Sequence, residues 1–184
     1  DSYLIVGANG QLGKELVRQL TDCSLPFIAA TRNDLDLATP SAWIDKYRWR
    51  SLRGIINAAA YTAVDQAETD KGRRAAWAAN ATGVAALAQM AREANIPLVH
   101  ISTDYVFDGS LPVGEEYSES ENVAPMGVYG QSKAAGEVAA QVAPRHYILR
   151  TSWVIGEGKN FVETMRSLAE RGINPVSYTH LRAH

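Results

Sequence analysis

The chain has 184 residues, of which 46% are hydrophobic and 21% charged, and its formal net charge is −2. This length suits one domain with a core of its own rather than two, and the near-neutral charge offers no electrostatic footprint for nucleic acid or for an anionic membrane. No apolar run approaches the roughly 20 residues that a bilayer-spanning helix needs, and because an apolar stretch occurs already at 3–6, we expect no signal peptide.

Short β-rich apolar runs alternate with longer helical patterns along the chain. The predicted strands cover 3–6, 27–30, 54–57, 98–102 and 147–150, and the predicted helices cover 11–21, 40–48, 64–79, 80–95, 129–143 and 160–171. Strands of nearly continuous apolar character that alternate with helices indicate a parallel sheet covered on both faces. With right-handed crossovers, this pattern predicts a doubly wound, Rossmann-like α/β sheet that binds ligands at the carboxyl ends of its strands.

A glycine-rich turn joins the first predicted strand to the first predicted helix. It reads Gly7-Ala8-Asn9-Gly10-Gln11-Leu12-Gly13. Glycines permit a tight turn and a close approach of the backbone to a pyrophosphate, and the start of the helix adds amide donors and a favourable dipole. The spacing is G-x-x-G-x-x-G rather than G-x-G-x-x-G, and a tight turn could require the same glycines for structural reasons alone. We expect a dinucleotide to bind here.

The only cysteine, Cys23, follows the first predicted helix. It cannot form an internal disulfide, and we expect a buried and inert thiol. By elimination, these features predict a cytoplasmic protein.

The second predicted strand is followed by Arg32, at the position where a cofactor without a 2′-phosphate usually meets a carboxylate on its ribose. The planar guanidinium suits a phosphate, so we expect NADPH, with NADH as the alternative. Arg32 could instead be a solvated surface residue, neutralised by Asp34 or Asp36.

Later in the chain, Thr103 directly follows a predicted strand, and a loop rich in Gly, Pro, Ser and Glu covers 108–125. Loops of this length inside a compact domain are often functional. His100 and His146 enter or flank apolar strands, so we interpret both as structural residues rather than acid–base groups.

Tyr129 and Lys133 stand four residues apart at the start of a predicted helix, and this spacing puts them on one face. A free tyrosine has a pKa of about 10, too high for ready proton exchange at neutral pH. A neighbouring lysine and the positive nicotinamide of an oxidised cofactor would stabilise the phenolate and lower that pKa. With the hydroxyl of Thr103 beside the phenol, the three residues form the predicted catalytic set.

Together, the glycine turn, the Tyr129/Lys133 pair and the segment 102–104 resemble the extended short-chain dehydrogenase/reductase superfamily. The stretches 57–68, 102–109 and 150–156 narrow the resemblance to the dTDP-4-dehydrorhamnose reductase family. The likeness covers about residues 3–172.

This resemblance implies reduction of the C4 ketone of dTDP-4-dehydro-L-rhamnose to dTDP-L-rhamnose. Tyr129 would be the general acid, Lys133 would hold the nicotinamide ribose and tune Tyr129, and Thr103 would polarise the sugar carbonyl. Asp104 and Trp153 match positions that contact the sugar nucleotide. The positions that wrap the cofactor are matched by Gly10, Gln11, Leu12, Asp36, Leu37, Ala59, Ala60, Tyr61 and Thr62.

Simpler interpretations stay open for several of these residues. Thr62 and Asp65 could form a capping arrangement at the start of a helix, and Asp65 and Glu68 could be acids favoured by the helix dipole. Asn57 and Asn80 could brace backbone near the site or merely satisfy turns. For the whole chain, the alternatives are a non-catalytic dinucleotide-binding regulator of the methionine adenosyltransferase type, or another nucleotide-sugar reductase or epimerase.

The resemblance also sets expectations about domains. We assign 1–172 to an NAD(P)-binding catalytic domain and 173–184 to a non-native or disordered tail, with the smaller substrate lobe largely missing. We expect the full-length protein to be active and this chain to be weak or inert, and a homodimer of the full-length protein stays open. His180 and His184 have a metal-compatible spacing, but no acidic partner is near in the sequence, so we expect no metal site.

Overall fold

A computed structural model of the chain describes residues 1–154 together with 166–167 and 170–171. Its strands are β1 (Ser2–Val6), β2 (Phe27–Ala30), β3 (Leu52–Asn57), β4 (Leu98–Thr103) and β5 (His146–Thr151). Its helices are α1 (Gln11–Asp22), α2 (Val64–Ala67), α3 (Asp70–Trp77), α4 (Gly83–Ala94) and α5 (Val128–Ala140). None of the helices in the described part of the chain combines the length and apolar character needed to cross a membrane.

The five strands form one parallel sheet in the order β2-β1-β3-β4-β5. The chain runs outward from β1 to β2 and then crosses back to β3 on the other side of β1. The carboxyl ends of β1 and β3 therefore flank a crevice, as at the switch point of doubly wound sheets. The predicted α/β fold is confirmed.

The main core lies between the sheet and the helices that follow β3. Leu4 and Val6 of β1 pack in one cluster with Leu87 and Ala88 of α4. Ile5 is fully buried but lies outside this cluster, because alternate strand side chains point to opposite faces. Burial of both faces accounts for the continuous apolar runs from which the strands were predicted.

The helix predicted over 40–48 is wrong. The structure has only a short 3₁₀ turn at Pro40–Ala42, followed by turns. The indole of Trp43 is buried and donates a hydrogen bond to the carbonyl of Asp36 over 2.7 Å. Trp43 thus packs against other aromatic rings instead of lying on a helix face. Its ring meets that of Trp49, just beyond this segment, edge to face at 6.0 Å.

The helix predicted over 64–79 is two helices. Thr69 is extended and its hydroxyl accepts a hydrogen bond from the amide of Gly72, so it caps α3 and separates it from α2. A π-helical turn, Ala78–Thr82, then joins α3 to α4.

The prediction for Cys23 is wrong, and the predictions for the C-terminal segments lie largely outside the described residues. Cys23 is exposed rather than buried, because it lies in the turn just beyond α1 and not on the packed face of an element. The helix predicted over 160–171 falls mostly outside the described residues, and the predicted tail at 173–184 falls outside them entirely.

Candidate active site

A cleft of about 650 Å³ opens at the carboxyl ends of the strands. Fourteen of the predicted site residues line it: Gly7, Asn9, Gly10, Gln11, Leu12, Arg32, Asp36, Leu37, Ala59, Ala60, Thr62, Thr103, Tyr129 and Lys133. Four predicted site residues do not line it: Gly13, Tyr61, Asp104 and Trp153. Eight residues that were not predicted as site residues also line it. Ala58, Ser102, Thr151, Ser152 and Val154 lie in the stretches that carry the family resemblance, whereas Leu35, Ala79 and Ile101 lie outside them.

The glycine turn brings the start of α1 to this cleft. Gly7 has a φ of +83°, and a Cβ there would lie 2.9 Å from Ala59, so both the backbone conformation and the close approach require glycine. Gly13 has a different reason to be glycine: its Cβ would lie 2.1 Å from the carbonyl oxygen of Gly7, so its absence lets α1 pack on the turn. No side chain caps α1, because its N-cap is Gly10. The helix N-terminus therefore presents backbone donors and a positive dipole end to the cleft.

Arg32 lies at the edge of this cleft, and the carboxylates that could neutralise it are engaged elsewhere. Asp34 accepts hydrogen bonds from the hydroxyl and amide of Thr31 at 2.7 and 3.0 Å, which lower the pKa of this carboxyl. Asp36 accepts from the amide of Ala38 at 3.0 Å. Within the described residues, neither carboxylate forms an ion pair with Arg32.

The structure brings Tyr129 and Thr103 together at the cleft. Burial raises the pKa of Tyr129 to about 12, and a hydrogen bond with Thr103 partly opposes this rise. For the protein's own groups the direction is upward, because the desolvation of a phenolate outweighs the favourable contacts; the predicted lowering included the charge of an oxidised nicotinamide and stays a prediction. The ring of Tyr105 packs edge to face on Tyr129 at 5.6 Å. At neutral pH, the phenol carries its proton.

Lys133 is buried one turn further along α5, and its Nζ donates a 2.6 Å hydrogen bond to the carbonyl of Ile101. Burial lowers the pKa of this ammonium to about 8, although the negative charge of Glu137 raises the pKa and partly offsets the effect. The carbonyl at the end of β4 thus orients a lysine that still carries its charge at neutral pH.

The two predicted sugar-contacting residues lie outside the cleft lining. The carboxylate of Asp104 accepts a 3.2 Å hydrogen bond from the hydroxyl of Thr103, which places it directly behind a lining residue. Trp153 follows β5 and is partly exposed, beside Ser152 and Val154, which do line the cleft.

Buried asparagines brace the segment after β3. The side-chain oxygen of Asn57 accepts a 3.1 Å hydrogen bond from the amide of Ala59. The side-chain nitrogen of Asn57 therefore faces Nδ1 of His100, also at 3.1 Å. Asn80, on the π turn, accepts from the amide of Tyr61 at 2.8 Å and donates to its carbonyl at 3.0 Å. Of the two readings that the sequence left open for these asparagines, the structure shows bracing next to the site.

Asn80 also joins this segment to α5, because it donates to the hydroxyl of Ser132 at 3.0 Å. Irregular π turns are frequent at functional sites, and this one provides the buried position from which Asn80 reaches both partners.

No group of three or more His, Cys, Asp or Glu side chains suited to a metal ion occurs among the described residues. The predicted pair His180 and His184 lies outside them.

A parallel sheet with a glycine turn at its switch point, and a tyrosine and lysine four apart facing the same cleft, define a Rossmann-like α/β domain of the short-chain dehydrogenase/reductase type. A sequence profile of the family described as RmlD substrate binding domain matches residues 2–177. The chain belongs to this family, and the resemblance stated from its motifs is confirmed.

Known relatives cover most of this chain. The dTDP-4-dehydrorhamnose reductase of Sinorhizobium fredii (strain NBRC 101917 / NGR234) is 42% identical over 168 residues, which are 90% of this chain and 55% of that protein. The dTDP-4-keto-6-deoxy-D-glucose reductase of Streptomyces niveus is 39% identical over 92% of this chain and 59% of its own length. The crystal structure of dTDP-4-dehydrorhamnose reductase from Bacillus anthracis str. Ames in complex with NADP has 40% identity and a TM-score of 0.83, over 93% of this chain and 60% of that one. The chain thus spans somewhat more than half the length of the relatives it matches.

Proposed function

We propose that this chain is the cofactor-binding and catalytic part of an NAD(P)H-dependent dTDP-4-dehydrorhamnose reductase, with residues 1–172 as its catalytic domain. The observation that carries the proposal is the contact between Thr103 and Tyr129 in a cleft that also holds Lys133 and the glycine turn. Names of relatives at about 40% identity support the substrate class. We also propose that the protein is cytoplasmic and binds no nucleic acid.

The residues of the cleft fit a nicotinamide dinucleotide. A volume of about 650 Å³ is within the range of cofactor pockets, and a Cβ at Gly7 would force the neighbouring Ala59 away. The glycine turn would hold the pyrophosphate, and Lys133 would hold the nicotinamide ribose. Because Arg32 is not paired with either nearby carboxylate, we propose NADPH as the preferred form, with a 2′-phosphate that Arg32 binds.

When bound, the reduced cofactor supplies the hydride that adds to the C4 carbon of the sugar. Tyr129 gives its phenolic proton to the sugar oxygen as the carbon–oxygen double bond is reduced. A developing alkoxide is more basic than a phenolate, so a pKa of about 12 still permits this transfer. The Thr103 hydroxyl turns from Asp104 to donate its hydrogen bond to the same oxygen, and the Lys133 ammonium stabilises the phenolate that remains until solvent restores its proton.

The chemical test is Tyr129→Phe in the longest form of the protein that its gene encodes. Loss of the proton donor is expected to lower kcat by roughly 10²-fold or more, with the Kd for NADPH nearly unchanged. Oxidation of NADPH with dTDP-4-dehydrorhamnose, followed by absorbance, measures the first quantity, and a fluorescence titration measures the second.

Three outcomes would contradict the proposal. A Tyr129→Phe enzyme with wild-type turnover would remove Tyr129 from its role. A wild-type protein that binds NADPH but oxidises none with any keto-sugar would be a regulator, and one that interconverts sugars without net cofactor consumption would be an epimerase.

A further inference from the structure

Glu137 lies on α5 one turn beyond Lys133, and its side chain is only 5% exposed. Its Oε1 accepts a 2.5 Å hydrogen bond from the hydroxyl of Ser102. Lys133 binds the carbonyl of the preceding residue, Ile101. Two successive turns of α5 thus hold two successive residues of β4, directly before Thr103.

The carboxylate of Glu137 is neutralised by Arg150 of β5. The guanidinium donates through two nitrogens, with Nη2 at 2.8 Å from Oε2 and Nε at 3.0 Å from Oε1. A buried carboxylate is tolerated when it is both paired and fully hydrogen-bonded, and this one has two partners on two different strands. The pair therefore fixes α5 against β4 and β5 at once.

The same guanidinium reaches the long loop between the 3₁₀ turn Asp104–Val106 and α5. It lies 5.0 Å from the ring centre of Phe107, and its Nη1 donates to the carbonyl of Glu119 at 3.3 Å. The ring of Phe107 is stacked on that of Tyr117, with centres 4.2 Å apart and planes within 4°. Arg150 thus connects α5, the helix that bears Tyr129, with two parts of this loop, at Phe107 and at Glu119.

We propose that Glu137 and Arg150 are positioning residues for the reduction: they set Thr103 against Tyr129 and hold the 107–127 loop to α5. This inference rests on the proposed function, because the geometry that it explains is that of the proposed catalytic set. Small displacements of such groups lower rates strongly, since proton donation and carbonyl polarisation both depend on distance.

Glu137 also influences the charge state of Lys133. Among the described residues, this ammonium interacts electrostatically with Glu137 on its own helix and with His100 on β4; Tyr129 lines the same cleft one turn earlier on α5, and Arg150 of β5 pairs with Glu137. Glu137 raises the pKa of Lys133 while burial lowers it. Removal of the carboxylate charge is therefore expected to move the loss of the lysine proton to lower pH.

The test compares Glu137→Gln and Arg150→Lys with the control Glu15→Gln, which removes an exposed ion pair on α1. Glu137→Gln keeps the length of the side chain and an acceptor for Ser102 but removes the charge. We expect kcat to fall on the order of 10-fold with KM for NADPH little changed, and the high-pH limb of kcat to move to lower pH. Arg150→Lys keeps the charge but loses the two-nitrogen contact, so kcat should fall without that shift of the limb.

Amide hydrogen exchange over residues 107–127 gives a second readout that needs no turnover. Faster exchange in Glu137→Gln and Arg150→Lys than in Glu15→Gln supports the inference. Equal exchange in all three proteins overturns it, as does a kcat in both Glu137→Gln and Arg150→Lys that equals that of Glu15→Gln. If the wild-type protein reduces no keto-sugar, the proposed function fails, and the exchange data alone still decide whether the pair holds the loop.

Discussion

Burial acts on both ionisable groups of the proposed catalytic pair, and it disfavours the charged form of each. It raises the pKa of Tyr129 to about 12 and lowers the pKa of Lys133 to about 8. As pH rises, Lys133 therefore loses its charge while Tyr129 still holds its proton. If the chain has the proposed activity, we expect a high-pH limb of turnover to report on Lys133, with the phenol still protonated across the neutral range.

The proposed preference for NADPH depends on Arg32, so substitution of this residue tests it. We expect Arg32→Ser to weaken NADPH binding by roughly 10- to 100-fold while NADH binding stays nearly constant, because a charge-assisted contact to the 2′-phosphate contributes about 1.5–3 kcal/mol. Fluorescence titrations with each cofactor measure the two Kd values. Arg53→Ser is the matched control, since Arg53 lies near the start of β3 and lines no part of the cleft. Equal effects of Arg32→Ser on both cofactors would argue against a phosphate contact.

Among the elements, α5 depends on a residue far away in the sequence. Its N-cap is Gly127, which has no side chain to offer, and the amide of Val128 donates instead to the carboxylate of Glu68 at 2.8 Å. A negative charge at a helix N-terminus is also favoured by the helix dipole. The sequence suggested Glu68 as a first-turn acid of its own helix. In the structure, Glu68 instead caps the N-terminus of α5.

We expect Glu68→Ala to lower the free energy of unfolding by about 1 kcal/mol, the usual effect of losing an N-terminal cap. Glu68→Gln retains an acceptor oxygen and should lose less. Urea unfolding followed by circular dichroism measures both values. If the alanine variant is as stable as the glutamine variant, Glu68 does not cap α5.

Elements with a strong local signal were predictable, and those fixed by distant contacts were not. The five strands follow from apolar runs such as Tyr3 to Val6, because parallel strands are buried on both faces. The error over 40–48 comes from Trp43, whose indole binds the carbonyl of Asp36 in a way that periodicity cannot reveal. The break between α2 and α3 did have a local signal, the capping hydroxyl of Thr69.

The same distinction holds for the site. The site residues that belong to motifs could be predicted from the sequence alone; they include Gly7, Thr103, Tyr129 and Lys133. Glu137 carries no motif of its own, and its role depends on contacts with residues 35 and 13 positions away along the chain. The upward effect of burial on the pKa of Tyr129 had no local signal, because the degree of burial is a property of the folded chain.

At the scale of the whole molecule, His100 links stability to pH. Burial, together with the charge of Lys133, lowers its pKa from 6.5 to about 3. Its Nδ1 faces Asn57, and its Nε2 has no hydrogen-bond partner among the described residues. The folded protein therefore keeps this imidazole neutral across a range in which the unfolded chain protonates it.

The sign of the effect follows from this difference. Below about pH 6.5, the unfolded chain binds a proton that the folded protein does not, so stability falls as pH decreases until about pH 3. We expect His100 to account for a loss of about 2 kcal/mol between about pH 7 and pH 5. Urea unfolding at both values should show a smaller loss in His100→Gln than in the wild type, with His146→Gln as the control. A wild-type-like loss in His100→Gln would exclude His100 as its source.

The π turn at Ala78–Thr82 also restricts how the chain can change its length. A π turn holds one residue more than the α-helical path between its neighbours needs, so deletion of one residue from it would leave a regular α turn and keep α4 in register with α3. Leu87 and Ala88 would keep their places in the core, but the contacts of Asn80 with Tyr61 and Ser132 would be lost. The turn around Val113 and Gly114 is exposed and has a positive φ at the glycine, so insertions and deletions can accumulate there without disturbing the packed core.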